Sequence, residues 1–213
     1  MLQVNRKLTI LCLGDSELSR EELSCLIEKM QGWFKKADWV IHLGDGAKEF
    51  FEIFNRSNEK QIHYLKGNHD KNIFFAQKEK KEIIQGVNFL FYHGISQNPF
   101  LENFDTLINK IRVKFGAKAN LGWYYQNQAK ALGGKYDVVV SGHTHLPRME
   151  KIGKTIFFCP GGLTTKSLNM GIPMSFGVIK SEKHHNSTLL QFRIYGFIKG
   201  AIKLIHKRDY VLS

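Results

Sequence analysis

Residues 137–145 read Asp-Val-Val-Val-Ser-Gly-His-Thr-His, a short apolar run followed by two closely spaced histidines. Three β-branched residues in a row are typical of a buried strand, and Gly142 marks the end of that strand. Imidazole is the commonest neutral metal ligand, and a turn can direct both rings into one cleft. Two such histidines fit an exposed loop as well, so a metal site is predicted only if other strand ends supply ligands.

Three strands predicted upstream all end at a glycine followed by a carboxylate or amide side chain. The strands cover 8–13, 38–43 and 61–65, and they end at Gly14-Asp15, Gly44-Asp45 and Gly67-Asn68. In an open α/β sheet, ligands bind beyond the carboxyl ends of the strands. Aspartate after glycine is also common in turns. Three such ends together with the histidine pair therefore predict one shared site.

The segments between and after these strands complete an α/β pattern. Ser19-Arg20-Glu21-Glu22 matches a capping box and predicts the start of a helix. A second helix is predicted after Asp45 from apolar residues at helical spacing. Hairpins are predicted around Gln85-Gly86 and Gly153-Lys154, and further strands at 175–180 and 188–195. No repeat or linker interrupts the chain. We therefore expect a single domain over 1–213, with a helical cap insertion at about 96–134.

Composition limits the class of protein. With 43% apolar residues and no apolar run near the ~20 residues of a membrane helix, the sequence is typical of a soluble globular protein. A signal-peptide pattern is lacking, and the three cysteines (Cys12, Cys25 and Cys159) lie beside apolar residues and are predicted to be reduced core thiols. We expect a cytoplasmic protein. The sequence allows a monomer or a homo-oligomer.

The net charge of +12 favours an anionic partner: nucleic acid, anionic lipid or a phosphorylated small molecule. Excess charge also keeps a protein soluble, and the sequence holds no dedicated nucleic-acid motif. Residues 196–208 form a basic amphipathic pattern that suits either an anionic membrane surface or a final core element, with the core element favoured. Trp123, Tyr124 and Tyr125, within the expected cap, could stack on a base or pack on the sheet; packing is favoured.

The candidate ligands form a chemically consistent set. They are two carboxylates, an amide oxygen and three imidazoles: Asp15, Asp45, Asn68, His93, His143 and His145. Such ligands suit a pair of divalent ions of the manganese, iron or zinc type. A structural zinc site would favour cysteines, and the cysteines of this chain lie elsewhere.

The five ligand motifs, in this order, resemble those of the calcineurin-like metallophosphoesterases. They are Asp15 with its neighbours, Gly44-Asp45, Gly67-Asn68-His69-Asp70, His93-Gly94 and Gly142-His143-Thr144-His145. The short length and the Leu43-Gly44-Asp45-Gly46 context resemble the small YfcE-type bacterial phosphodiesterases, relatives of the retromer scaffold subunit Vps29. The resemblance implies a four-layer α/β/β/α sandwich with two mixed β-sheets.

The resemblance also implies how the ligands divide between two cations. Asp45 would bridge both ions. The first ion would add Asp15 and His145, and the second would add Asn68, His93 and His143. Two ions about 3.5–4 Å apart would hold a bridging hydroxide that attacks phosphorus in line. The expected cofactor is Mn²⁺, with Mg²⁺, Fe²⁺, Zn²⁺ and Ni²⁺ as alternatives, and the expected substrate is a small phosphorylated or nucleotide-like molecule.

Two further residues of the third motif receive catalytic roles from the resemblance. His69 would stabilise developing charge or protonate the leaving oxygen. Asp70 would hold the His69 imidazole in the useful tautomer.

The first motif departs from the family pattern. The family usually has Asp-x-His there, whereas this chain has Asp15-Ser16-Glu17. Glu17 could ligate the first ion in place of histidine and give a harder site that prefers manganese or magnesium. Equally, it could face solvent and leave that ion weakly held.

The sequence is therefore compatible with three functions. The main expectation is a phosphodiesterase, or a phosphomonoesterase, that depends on two metal ions. The alternative is a non-catalytic Vps29-like scaffold or protein-interaction module; His69 argues against it and Glu17 mildly for it. A nucleic-acid-binding module is the third, and it would bind with steep salt dependence and without metal.

Overall fold

The computed structural model describes residues 7–54, 62–71, 73–94, 108, 111–112, 114, 122–165 and 171–213. Two β-sheets dominate them. The first sheet has six strands in the order β11-β10-β9-β1-β2-β3. Its strands are β1 (Lys7–Leu13), β2 (Trp39–His42), β3 (Ile62–Tyr64), β9 (Ser175–His184), β10 (Ser187–Ile198) and β11 (Ala201–Leu212).

The second sheet has five strands in the order β4-β5-β6-β8-β7. They are β4 (Glu79–Ile84), β5 (Val87–Tyr92), β6 (Val138–Ser141), β7 (Arg148–Ile152) and β8 (Thr155–Cys159). Each sheet mixes strand directions: β1, β2 and β3 are parallel neighbours in one and β5, β6 and β8 in the other, while the remaining pairs are antiparallel. The carboxyl ends of the parallel strands carry the predicted site.

Helices cover the outer faces of the two sheets. The first sheet is covered by α1 (Arg20–Lys36) and α2 (Ala47–Phe54), and the second by α3 (Gly122–Leu132). The capping box predicted at the start of α1 is present, with Ser19 and Glu22 bonded reciprocally. The buried stripe of α1 includes Leu23, Ile27 and Met30. Each such side chain contributes roughly 1.5–3 kcal/mol when fully buried, which holds the helix to the sheet.

Among the described residues, three apolar clusters fill the spaces between these layers. The cluster between the sheets includes Ile10, Val140 and Phe192, all fully buried. A second lies under α1 and α2, and a third lies between α3 and the outer face of the second sheet. The order is therefore helix, sheet, sheet, helix. The expected four-layer α/β/β/α sandwich with two mixed sheets is confirmed.

The predicted hairpins, the basic tail and the cysteines all lie among the described residues. The hairpins turn at Gln85-Gly86 and Gly153-Lys154 as predicted. The basic tail belongs to a β-hairpin of β10 and β11, and Ile202 and Ile205 of β11 pack against the core clusters, which agrees with a final core element. Cys25 was expected in the core with the other two cysteines, and this is wrong: it lies exposed on α1, while Cys12 and Cys159 are buried.

The expected cap at about 96–134 falls mostly outside the described residues, as does most of the helix expected after Asn98-Pro99. Its described part is chiefly α3, which ends near Gly133-Gly134 as predicted. No described helix is long and apolar enough to cross a membrane.

Candidate metal centre

The predicted ligands lie on loops that leave the carboxyl ends of strands in both sheets. Asp15 follows β1, Asp45 follows β2, and Asn68 lies beyond β3. From the second sheet, His93 follows β5 and the His143–His145 loop follows β6. Backbone bonds join the first two loops, from the Asp15 amide to the Gly44 carbonyl and from the Ser16 amide to the Asp45 carbonyl, each 2.8 Å.

The ligand loops adopt an uncommon backbone conformation. Among the described residues, six that are not glycine have positive φ, and four of these are predicted ligands: Asp15, Asp45, His143 and His145, with φ between 51° and 69°. Such conformations are disfavoured for side chains with a Cβ and cluster at functional sites. The loops are therefore held in a shape that serves the placement of side chains.

Asp45, Asn68, His93 and His143 meet at one point. The His93 Nε2 atom lies 2.8 Å from Asn68 Oδ1, 3.3 Å from Asp45 Oδ2 and 3.2 Å from His143 Nδ1. His143 Nδ1 is also 2.9 Å from Asn68 Oδ1. The other ring nitrogen of His93, Nδ1, lies 2.8 Å from the Leu43 carbonyl and donates its proton there. The Nε2 atom faces the Asp45 and Asn68 oxygens, with a lone pair in the neutral ring and with a proton in the charged ring.

This convergence of acceptor atoms fits a shared cation. Lone pairs of a carboxylate, an amide oxygen and imidazole nitrogens repel one another unless a positive charge lies among them. A carbonyl that holds the far nitrogen of a histidine is the usual arrangement around a metal ligand. Ligand atoms of Asp45, His93 and His143 all lie within 4.8 Å of one another.

The charges of this group support one another. Burial opposes ionisation of Asp45, but its bond to His93 and the backbone bond from His69 outweigh burial and lower the pKa of the Asp45 carboxyl. Burial also disfavours a protonated His93, but the carboxylates of Asp45 and Asp15 raise the pKa of its imidazole. The negative field of the two aspartates therefore favours positive charge at this point.

Asp15 and His145 form the adjacent part of the centre. Asp15 is fully buried, and its Oδ1 atom lies 3.3 Å from His145 Nε2. Both of its oxygens also accept from the His143 amide, at 3.1 and 3.2 Å. Asp15 thus fixes the backbone of the second histidine loop while its carboxylate faces His145.

Glu17 is directed toward the centre. Its Oε1 atom lies 4.0 Å from His69 Nδ1, and its side chain is 23% exposed. Ligand atoms of Glu17, Asp45 and His69 form a second group within 4.8 Å of one another. Glu17 thus lies within reach of the site, and its role as a ligand stays a prediction.

His69 lies at the rim of the centre. Its side chain is 58% exposed, and its Nε2 atom lies 4.0 Å from Asp45 Oδ2. Its backbone amide donates to Asp45 Oδ1 at 2.8 Å. The ring can therefore reach both solvent and a molecule bound over Asp45.

The contacts of the Asp70 carboxylate differ from those that its predicted role requires. Both of its oxygens accept from backbone amides: Oδ2 from Asp45 and Gly67, each at 2.8 Å, and Oδ1 from Gly46 and Ala47, at 3.1 and 3.2 Å. The carboxylate thus caps the amino end of α2, where negative charge is favoured. The expected contact with the His69 imidazole is replaced by a clamp on the loop that carries Asp45.

Sequence reasoning missed a buried pair beneath the first two loops. His42 is fully buried, and its Nδ1 atom accepts from the Gly44 amide at 3.3 Å. The remaining proton on Nε2 points to Ser16 Oγ, 2.8 Å away, and Ser16 donates in turn to the Gly46 carbonyl. Burial lowers the pKa of His42 to about 4. A histidine at the end of a core strand, three residues before Asp45, was the available signal.

Fold and site together define a class: two mixed sheets between helices, with nitrogen and oxygen atoms that could hold a metal ion at the strand ends. A family model of the calcineurin-like phosphoesterase superfamily domain matches residues 8–184. The chain belongs to that superfamily, which confirms the family expected from the sequence. No curated protein sequence matches the chain.

Solved structures of similar fold include proteins of different roles. Vps29 from Cryptosporidium parvum is 17% identical, with 96% of this chain and 98% of that chain covered and a TM-score of 0.63. Vps29 from Entamoeba histolytica complexed with Zn²⁺ is 17% identical, with 95% and 99% covered and a TM-score of 0.60. An archaeal phosphodiesterase is 19% identical, with 96% and 100% covered and a TM-score of 0.52. At these identities the likeness shows the fold alone.

Proposed function

We propose that this protein hydrolyses phosphate esters, with phosphodiesters as its preferred substrates, at a centre for two divalent cations. The observation that carries the proposal is that His93 and His143 approach both the buried carboxylate of Asp45 and the amide oxygen of Asn68. Membership of the phosphoesterase superfamily supports hydrolysis. The archaeal phosphodiesterase of similar fold supports a diester substrate.

The residues would divide between the two cations around Asp45. One cation would take Asp15, His145 and Glu17, and the other would take Asn68, His93 and His143. Bound divalent cations polarise phosphoryl oxygens and lower the pKa of water, so that a strong nucleophile is available near neutral pH. The added carboxylate of Glu17 gives a harder ligand set, which favours Mn²⁺ over softer ions. Zn²⁺, found in one Vps29 of similar fold, is the first alternative.

The chain's own residues would complete the chemistry. His69 is exposed enough to meet a substrate and close enough to Asp45 to act beside the reacting phosphate. It would donate a proton to the leaving oxygen or a hydrogen bond to the developing charge. The net charge of +12 would raise the local concentration of anionic substrates.

The test is hydrolysis of bis(p-nitrophenyl) phosphate by the full chain with Mn²⁺. We expect turnover that disappears with chelator and with Asp45→Asn, and a loss in kcat of about 100-fold or more for His69→Ala. His185→Ala is the matched control, because His185 lies exposed in the turn between β9 and β10. Equal rates for Asp45→Asn and His185→Ala would reject the proposed site.

A non-catalytic scaffold is the second candidate, because Vps29 proteins share this fold across nearly their whole length. Glu17 in place of the usual histidine is consistent with that role. The scaffold predicts no turnover with any of the five cations considered (Mn²⁺, Mg²⁺, Fe²⁺, Zn²⁺ and Ni²⁺). It also predicts no difference between the wild type and His69→Ala in that assay.

A further inference from the structure

Helix α3 reaches both histidine loops of the centre. Its carboxyl-terminal half is fixed to the second sheet, where Ala129 and Leu132 pack against the cluster of Leu90, Val139 and Phe157. Its first turns carry Tyr124 and Tyr125, which are 5% and 2% exposed. Adjacent residues on a helix point about 100° apart. One helix can therefore direct two neighbouring side chains to two different loops.

Tyr124 contacts the loop after β5. Its hydroxyl donates to the carbonyl of Gly94, the residue that follows His93. Gly94 has φ +99°, and a Cβ at this position would lie 2.7 Å from the tyrosine oxygen, so a larger residue would push the loop and helix apart. The Tyr124 ring also lies 6.2 Å from the His143 ring, centroid to centroid.

Tyr125 contacts the loop after β6. Its hydroxyl lies 3.0 Å from Thr144 Oγ1, and Thr144 separates two histidines of positive φ. The Arg148 guanidinium lies 4.0 Å from the centre of the Tyr125 ring and covers it. Burial raises the pKa of the Tyr125 hydroxyl well above its ordinary value, so the group keeps its proton. Thr144 thus has a buried, fixed partner in Tyr125.

We propose that Tyr124 and Tyr125 are positioning residues that hold the His93 and His143–His145 loops at the separation the cations require. This inference rests on the proposed cation centre. The loop after β6 holds two histidines of disfavoured positive φ, His143 and His145, so it needs outside contacts to keep its shape. Helix α3 supplies such a contact at Thr144, and its second contact, at the Gly94 carbonyl, holds the loop that carries His93. Removing either hydroxyl should therefore weaken cation binding more than it weakens the fold.

The experiment compares Tyr124→Phe and Tyr125→Phe with Tyr136→Phe in the full chain. Tyr136 is a matched control, because its hydroxyl bonds to Lys81 and it lies before β6, at the far end of that strand from the histidines. Calorimetric titration should give a Kd for Mn²⁺ about 10-fold higher in Tyr124→Phe and in Tyr125→Phe than in wild type. Binding within twofold of wild type in both variants, with Tyr136→Phe also unchanged, would overturn the inference.

A second measurement works without cations and separates the inference from the proposed function. Amide hydrogen exchange in cation-free protein should be faster in peptides that cover 93–94 and 142–146 for the two variants, and unchanged for Tyr136→Phe. If wild-type protein binds no Mn²⁺, the proposed cation centre is rejected. The exchange data still test whether the two tyrosines position the loops. Identical exchange in all four proteins would overturn their positioning role.

Discussion

Asp70→Asn tests the clamp beneath the candidate metal centre. The Asp70 carboxylate is 6% exposed and accepts from four backbone amides. Asparagine keeps one oxygen, so in either orientation its NH₂ group faces two amide donors that lose their acceptor. A buried donor without a partner costs about 1–3 kcal/mol.

Two such donors at about 1.5 kcal/mol each lower the free energy of unfolding by about 3 kcal/mol. For a chain of this length, 1 kcal/mol corresponds to roughly 2–4 °C in Tm. Thermal unfolding of cation-free Asp70→Asn should therefore show a Tm about 6–12 °C below wild type. The control is Asp209→Asn on β11, where the carboxylate is half-exposed and pairs with Arg193. Exposed pairs contribute about 0–1 kcal/mol.

The result that refutes this reasoning is an Asp70→Asn protein with the wild-type Tm and a selective loss of turnover. That outcome would support the role first expected for Asp70, in which it orients His69. Equal stability and equal turnover would show that the four amide bonds contribute nothing measurable.

Three further changes have defined outcomes. The pKa of His42 is lowered to about 4 by burial, against 6.5 in the unfolded chain, so its contribution to stability is present above pH 6.5 and is lost as pH falls toward 4. The difference in unfolding free energy between wild type and His42→Gln, measured with urea, should shrink by about 2–3 kcal/mol from pH 7.5 to pH 4.5; a constant difference would show that His42 titrates normally. Glu17→His should move cation preference from Mn²⁺ toward Zn²⁺ in competition titrations, because imidazole is the softer ligand; unchanged preference would exclude Glu17 as a ligand. Gly67→Ala would place a Cβ against the Asp45 carboxylate, so calorimetry should detect no Mn²⁺ binding, and wild-type affinity would contradict this placement.

The convergence of the candidate ligands could be predicted from sequence because each candidate follows the predicted end of a strand. A buried apolar run predicts a strand, a glycine marks its end, and the carboxyl ends of parallel strands share one edge. Asp15, Asp45 and the His143–His145 pair follow this rule directly. The capping box at Ser19 and the turn at Gln85-Gly86 were predictable for the same reason, since both depend on a few consecutive residues.

Features that depend on distant partners could not be predicted in this way. Asp70 is next to His69 in sequence, yet three of its four amide partners lie 23–25 residues earlier. Glu17 lies 4.0 Å from His69, a residue of another loop, and local sequence does not indicate that approach. Exposure of Cys25 is different, because the helical spacing of Leu23, Ile27 and Met30 already places Cys25 on the other face of α1; the wrong expectation used its apolar neighbours in sequence instead of this spacing.

Anomalous diffraction at the manganese edge, from crystals grown with Mn²⁺, tests the shared centre most directly. We expect two peaks, both within bonding distance of the Asp45 carboxylate, one beside Asp15 and His145 and the other beside Asn68, His93 and His143. A single peak would remove the bridging role of Asp45. No peak near Asp45, in crystals that show manganese elsewhere or nowhere, would contradict the proposal of a two-cation phosphoesterase.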